Sequence, residues 1–300
     1  MIKNYLIALF GVAILFDSCN QQQSQEGNPK GLEAEVKETL SKHKGTFAVA
    51  FKDLKTGETL LINERESFHA ASTMKTPVLI ELYKQAAEGK FSLKDSIPVK
   101  NEFKSIVDGS SFSLNPADDS EQELYKYVGK KQLLSELAYS MIIQSSNLAT
   151  NLIIDLVDAK NVQQTMRDLG ANDIKVLRGV EDNKAFEKGL NNTVTAYDLM
   201  VIFEKMANGQ TVNAESSIEM IDILLNQHFS SVIPAKLPKD VRVAHKTGFI
   251  TGVHHDSGIV FLPNGKKYVL VILSKEVENM DAAIEAMAQV SWLIHSHAAN

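Results

Sequence analysis

The sequence predicts an α+β fold: an antiparallel sheet flanked by terminal helices, with an inserted all-helical lobe. Three observations carry that prediction. Apolar stretches of strand length, bounded by turn residues, lie near both ends of the folded body. Between them, apolar residues recur at helical spacing through the middle of the chain. And 300 residues, 44% of them hydrophobic, suffice for one large or two interlocked domains rather than a string of small ones. Strands at both ends form one sheet only if the helical middle is an insertion between them.

The first segment stands apart from that body. Met1-Ile2-Lys3-Asn4 is a short basic start, Tyr5 to Phe16 is an unbroken apolar or small-residue run, and Asp17-Ser18-Cys19 ends it. The run is short for a membrane span and suits the core of a signal peptide. Cys19 is the only cysteine, with Ser18 before it and Leu15 four residues before. That pattern resembles a bacterial lipoprotein signal at 1–19, which implies an exported, periplasmic protein anchored to the membrane only through lipid on Cys19. Residues 20–30 are polar and turn-rich, as a flexible linker is.

The folded body is therefore expected over 31–300, with a sheet lobe at about 31–70 and 240–300 and a helical lobe at about 71–239. Leu32, Val36 and Leu40 make one face of a helix that Gly45 stops. Strands follow at 46–53 and 59–63, joined by the turn Lys55-Thr56-Gly57-Glu58. A helix begins around Ser72 and ends near Gly89, and residues 100–130 read as loop. Helices are expected at 131–143, 148–157, 162–169, 196–207 and 216–226. Strands return at 241–246, 257–262 and 268–274, the last two joined by Pro263-Asn264-Gly265, and a helix at 281–295 closes the chain. On that helix Met280, Ile284, Met287 and Trp292 are expected to pack against the sheet.

Composition removes some functions. A formal charge of −6 without a basic block argues against nucleic acid as a partner. The chain has no glycine-rich phosphate loop and no internal repeat. His254 and His255 lack the companions of a zinc motif and are expected on the rim of a cleft. No metal and no cofactor are expected, and the chain is read as a monomer.

Three motifs carry chemistry. In Ser72-Thr73-Met74-Lys75, residues three apart share a helix face, so the amine and the hydroxyl can meet. A serine hydroxyl needs a base to become a nucleophile, and a lysine of lowered pKa can serve. Ser145-Ser146-Asn147, between two helices, offers a hydroxyl to relay a proton and an amide to hold a carbonyl, or simply a helix cap. His245-Lys246-Thr247-Gly248 closes a strand, with Lys246 and Gly248 on one face and room for a substrate along the edge. There Lys246 offers charge and Thr247 a hydroxyl to a carboxylate.

In this order, S-x-x-K, S-x-N and K-T-G resemble the serine β-lactamases and penicillin-binding proteins, and the layout looks most like class A β-lactamases and their close penicillin-binding relatives. The resemblance covers nearly everything from residue 31 on. Ser146 stands where the commonest class A motif has aspartate. The resemblance implies that Ser72 attacks a β-lactam carbonyl, Lys75 shuttles the proton and Ser145 passes one to the departing nitrogen. It implies that Asn147 holds the substrate's side-chain amide and that Lys246, Thr247 and Gly248 bind its carboxylate end. The backbone N–H groups of Ser72 and Phe249 would form the oxyanion hole.

Class A enzymes also clear the acyl-enzyme with a glutamate on an omega-shaped loop. Glu181 follows Arg178 at a suitable interval past Ser145, while Glu187 begins a local E-x-x-L-N pattern. The letters favour Glu187, but spacing favours Glu181, which is the glutamate expected to serve, with Glu187 as the alternative. The expected function is a class A-like β-lactamase acting on small β-lactams through a Ser72 acyl-enzyme. The alternatives are a D-alanyl-D-alanine peptidase acting on peptidoglycan stem peptides, and a non-catalytic peptidoglycan-binding lipoprotein.

Overall fold

The structure, a computed structural model, describes Met1 and residues 29–299. The leader, the linker up to residue 28 and Cys19 lie outside the described residues. The first helix, α1 (Pro29–Ser41), buries Leu32, Val36 and Leu40, the stripe that its four-residue spacing puts on one side. Strands β1 (Thr46–Asp53) and β2 (Thr59–Ile62) form the predicted hairpin. Its turn is tied by Asp53 Oδ1, which accepts from Lys55 N (2.7 Å) and Thr56 N (2.8 Å).

A two-residue strand, β3 (Phe68–His69), leads to the Ser72 turn and α2 (Lys75–Ala87). The helices α3 (Leu134–Ile143), α4 (Asn147–Val157), α5 (Ala159–Asp168), α6 (Asn183–Glu187), α7 (Ala196–Ala207) and α8 (Ala214–Leu224) follow, with β4 (Thr193–Val194) pairing to β3. Residues Lys131–Leu133, expected to open a helix, instead pair as a strand with Ser96–Pro98, and Phe103–Lys104 pairs with Ser111–Phe112. These ladders stitch the stretch that the sequence marks only as loop. Lys131–Leu133 is distant in sequence from Ser96–Pro98, and the Phe103–Lys104 ladder is too short to show a period.

The chain then returns to the sheet with β5 (Arg242–Ile250), β6 (Val253–Phe261) and β7 (Lys267–Lys275), and ends on α9 (Met280–Ala298). The five strands run antiparallel in the order β2-β1-β7-β6-β5, so the first and last strands of the fold are neighbours. One face carries Phe47, Val49, Phe51, Leu270 and Ile272 against α1 and α9; the other carries Ala48, Ala50, Val271 and Leu273 against the helical lobe. Strand β5 is longer than expected: the glycine of K-T-G lies inside it, and the turn comes at Thr251-Gly252, where Gly252 takes φ +73°. On α9, Met287 is buried in the sheet packing and Met280 and Ile284 border it. Trp292 is 39% exposed and projects away from the sheet, contrary to expectation.

Candidate active site

Ser72 sits in a single 3₁₀ turn, Ala71–Met74, which runs directly into α2. Ala71 holds φ +44°, a left-handed conformation costing a residue with a Cβ about 1–2 kcal/mol. The turn is supported from behind. Ala71 N donates to His69 Nδ1 (3.1 Å), and His69 O lies 2.9 Å from Nε2 of His255. From the front, β5 closes on it. A Cβ on Gly248 would stand 3.1 Å from Ser72 N and 3.2 Å from Ala71 Cβ, so this glycine lets strand and turn meet.

Lys75 is fully buried. Its Nζ donates to Ser145 O (2.6 Å), Ser145 Oγ (3.1 Å) and Asn147 Oδ1 (3.0 Å). Burial lowers its pKa to about 7, although the nearby negative charges of Asp119 and Glu181 pull the other way. An amine poised there can accept a proton at neutral pH.

Ser145 follows α3 with φ +59°, and its Oγ also accepts from Lys246 Nζ at 3.0 Å. One hydroxyl therefore joins two buried amines. Lys246 is itself fully buried and donates to Thr247 O (3.0 Å). Burial, reinforced by the charge of Lys75, pushes its pKa well below the ordinary lysine range. The helix-cap role falls to Ser146, whose Oγ accepts from Ala149 N at 3.2 Å, leaving Ser145 to the lysines.

The turn carrying Ser145 and Asn147 is fixed by a residue the motifs do not include. Asp119 accepts from Asn147 N (2.9 and 3.0 Å), Leu148 N (2.9 Å) and Tyr125 OH (2.9 Å), placing a carboxylate on the N-terminus of α4. Ser120 Oγ adds a bond to Gln144 O (2.6 Å). Asp119 lies in the Asn115–Asp119 stretch read as loop, 28 residues from its partner, and nothing local signals that pairing.

The glutamates separate clearly. Buried Arg178 binds Leu190 O (2.9 Å) and Gly179 O (3.0 Å), and Asn192 Nδ2 donates to Arg178 O (2.9 Å), closing the neck of a loop over 178–192. From α4, Asn151 clamps Val180 through Oδ1 to its N–H (2.7 Å) and Nδ2 to its carbonyl (3.0 Å). A Cβ on Gly179 would lie 2.2 Å from Asn151 Oδ1, so only glycine fits beneath the clamp. Glu181 then takes φ +61°, and its Oε1 accepts from Asn147 Nδ2 at 3.3 Å. Glu187 is exposed at the end of α6 and lines neither cavity at Ser72.

Those two cavities share Ser72, Asn147 and Phe249. One, about 340 Å³, opens toward the loop and includes Arg178 and Glu181. The other, about 310 Å³, runs past Ser145 and Thr247 to Ser231 and His254. Lys75 and Lys246 line neither, and reach the cavities through Ser145. Phe249 is 62% exposed at the mouth, its ring 5.7 Å from that of His254. His254 thus lies at a cavity wall, as expected, whereas His255 is fully buried. Burial lowers the His255 pKa to about 4, so it works as a neutral support for the turn. Beneath Thr247, His245 Nδ1 meets Asp256 Oδ1 at 2.8 Å, and Asp256 Oδ2 accepts from Ile233 N (3.0 Å), a buried pair that anchors the segment carrying Ser231.

The chain belongs to the beta-lactamase enzyme family, whose model matches residues 30–298, which makes it at family level a β-lactamase-like serine hydrolase. Among characterised relatives, Beta-lactamase ROB-1 of Haemophilus influenzae is 25% identical over 86% of each chain, and Beta-lactamase VEB-1 of Pseudomonas aeruginosa is 22% identical over 97% of each. Among solved structures, a beta-lactamase from Sphaerobacter thermophilus DSM 20745 superposes with a TM-score of 0.78 at 25% identity, covering 91% of this chain and 98% of that one. PBP-A superposes with a TM-score of 0.77 at 27% identity, covering 89% and 95%.

Proposed function

We propose that this chain opens β-lactam rings through an acyl-enzyme on Ser72 and hydrolyses that intermediate with the help of Glu181, in the manner of a class A β-lactamase. The observation that carries the proposal is Lys75, buried, with a pKa near 7, and hydrogen-bonded to a serine that also touches a second amine. Ser72 Oγ attacks the lactam carbonyl as its proton passes to neutral Lys75. The proton travels on through Ser145 Oγ to the ring nitrogen as the C–N bond breaks, leaving an ester on Ser72. The N–H groups of Ser72 and Phe249 receive the oxyanion, and Thr247 and Asn147 bind the substrate. Glu181 takes a proton from a water that attacks the ester; as the acyl C–Oγ bond breaks and the ring-opened acid leaves, that proton passes to Ser72 Oγ. Glu187 has no part.

A second reading, a D-alanyl-D-alanine peptidase that β-lactams trap, is favoured by one observation: PBP-A matches as well as the β-lactamases do. A purely binding role has no use for two lysines held in the interior around one hydroxyl.

The full chain mixed with benzylpenicillin and a chromogenic cephalosporin, following product and protein mass together, separates these readings. Steady turnover with transient mass gain on Ser72 is expected. Glu181→Gln should then accumulate acyl-enzyme while Glu187→Gln turns over normally. One equivalent consumed with a lasting mass gain in the unsubstituted chain would establish the peptidase reading instead, and no mass gain at all would leave only binding.

A further inference from the structure

The first N–H groups of a helical turn have no partner within it, and the side chain of the cap residue ordinarily accepts one of them. At the Ser72 turn the cap position is Ala70, whose side chain makes no such bond. The residue before it takes over. His69 Nδ1 accepts from Ala71 N at 3.1 Å, and Ala71 is the residue held at φ +44°.

The backbone around that imidazole is fixed. His69 pairs with Thr193 in the β3–β4 ladder, its carbonyl meets Nε2 of buried His255, and Ala70 N donates to Asn192 O (2.8 Å). The ring lies edge-on to Phe186, 6.2 Å between centroids, on the wall of the 340 Å³ cavity. For Nδ1 to accept, the ring must be neutral with its proton on Nε2. Burial, reinforced by the charge of Arg178, lowers the His69 pKa and favours that neutral form.

The bond bears on the reaction through the next peptide unit. The torsions of Ala71 orient the Ala71–Ser72 peptide, which carries the Ser72 N–H. That nitrogen faces Gly248 of β5 so closely that a Cβ there would stand 3.1 Å away, and the next residue along β5 is Phe249. A left-handed alanine whose N–H loses its acceptor tends to relax, and a donor displaced by about 1 Å no longer matches a developing oxyanion. We propose that His69 is a positioning residue for the oxyanion site: by accepting the Ala71 N–H it keeps the Ser72 N–H aimed, with that of Phe249, at the reacting carbonyl oxygen. This rests on the serine-acylation reading above. Acylation and deacylation both pass through an oxyanion at that one place, so His69 serves both steps, whereas the role proposed for Glu181 belongs to the second alone.

The test replaces His69 with asparagine and with leucine. Asparagine carries Oδ1 as many bonds from the backbone as histidine carries Nδ1, but has no ring; leucine is of similar size and accepts nothing. Rate constants for both steps with benzylpenicillin are read from protein mass after rapid mixing. His69→Leu should slow acylation and deacylation alike, each about tenfold or more. His69→Asn should hold both within about threefold of the unsubstituted chain, because the acceptor is restored. Circular dichroism checks folding, and His69→Ala removes the acceptor in a second way should His69→Leu not fold. Equal rates in the acceptor-free variant and the unsubstituted chain overturn the proposal. So does equal loss in His69→Asn and His69→Leu, or slowing confined to one step.

A second readout needs no turnover. Phenylboronic acid forms a B–O bond with Ser72 Oγ as the hydroxyl proton passes to Lys75, leaving a tetrahedral anion in place of the oxyanion. Its Kd should rise in His69→Leu by about the factor that acylation slows, and return in His69→Asn. Noncovalent binding of benzylpenicillin to the Ser72→Gly chain, where no oxyanion forms, should be the same with or without His69→Leu. An unchanged boronate Kd in His69→Leu overturns the proposal while leaving the acylation reading intact. Neither penicillin mass gain nor boronate adduct in the unsubstituted chain would overturn that reading and this inference with it.

Discussion

A lysine amine gives up its proton near neutrality where water is scarce, and buried Lys75 meets that condition against the pull of Asp119 and Glu181. On the proposed mechanism neutral Lys75 accepts the Ser72 proton, so acylation should slow about tenfold per pH unit below about 7 and level off above it. The methyl ester of benzylpenicillin reads this profile without a substrate carboxylate in play. Lys75→Arg, cationic at every pH, should lose about 100-fold to 10,000-fold in acylation and its pH dependence with it. Stopped-flow mass spectrometry checks both, and a profile unchanged in Lys75→Arg would remove the lysine from the chemistry. At this scale the sequence was most readable. Ser72, Lys75, Ser145, Asn147, Lys246 and Thr247 were all marked by their spacing, and the fold brings them around Ser145 and the two cavities. Asp119 and Asn151 were not marked, and His255 was expected on a rim rather than behind the Ser72 turn, because each acts on backbone groups distant in sequence.

Among the elements, the 178–192 loop and β5 do the positioning. The Asn151–Val180 clamp holds the loop so that Glu181 meets Asn147, while Ser72 and Lys75 belong to another element altogether. Asn151→Ala removes both clamp bonds and should slow deacylation at least tenfold while acylation changes by less than threefold; the measurement is burst size against steady rate with benzylpenicillin. Gly179→Ala should do the same from the other side, since its new methyl group would displace Asn151 Oδ1. Equal slowing of both steps would mean the clamp serves the whole site. The E-x-x-L-N pattern begins at the last residue of α6, a helix capped by Asp182 accepting from Ala185 N (3.1 Å), and there Glu187 is exposed.

The molecule as a whole has two apolar layers sharing one sheet. Leu270 belongs to the layer under α1 and α9, and Leu273 to the layer under the helical lobe; both are fully buried. Since β7 carries both, the layers should unfold together. Urea titrations followed by the fluorescence of Trp292, the only tryptophan, and by far-ultraviolet circular dichroism should coincide. Leu270→Ala should lower stability by about 2–5 kcal/mol and leave Ser72 acylation of the folded protein unchanged. Two separated transitions would show instead that the lobes are independent.

What the sequence determined by itself was periodic or catalytic in its letters: the helical middle, the terminal strands, the hairpin turn and the three motifs. Each depends on residues within a few positions of one another, where helix and strand geometry dictate who can meet. Which lysine hydrogens go where, which glutamate reaches Asn147, why β5 runs on through K-T-G and how the stretch around Asp119 is stitched were decided by the tertiary structure alone. The reason is physical: burial sets the pKa of Lys75 and Lys246, and the close approach of β5 sets the need for Gly248. Both arise only when segments far apart in the chain exclude water from one another.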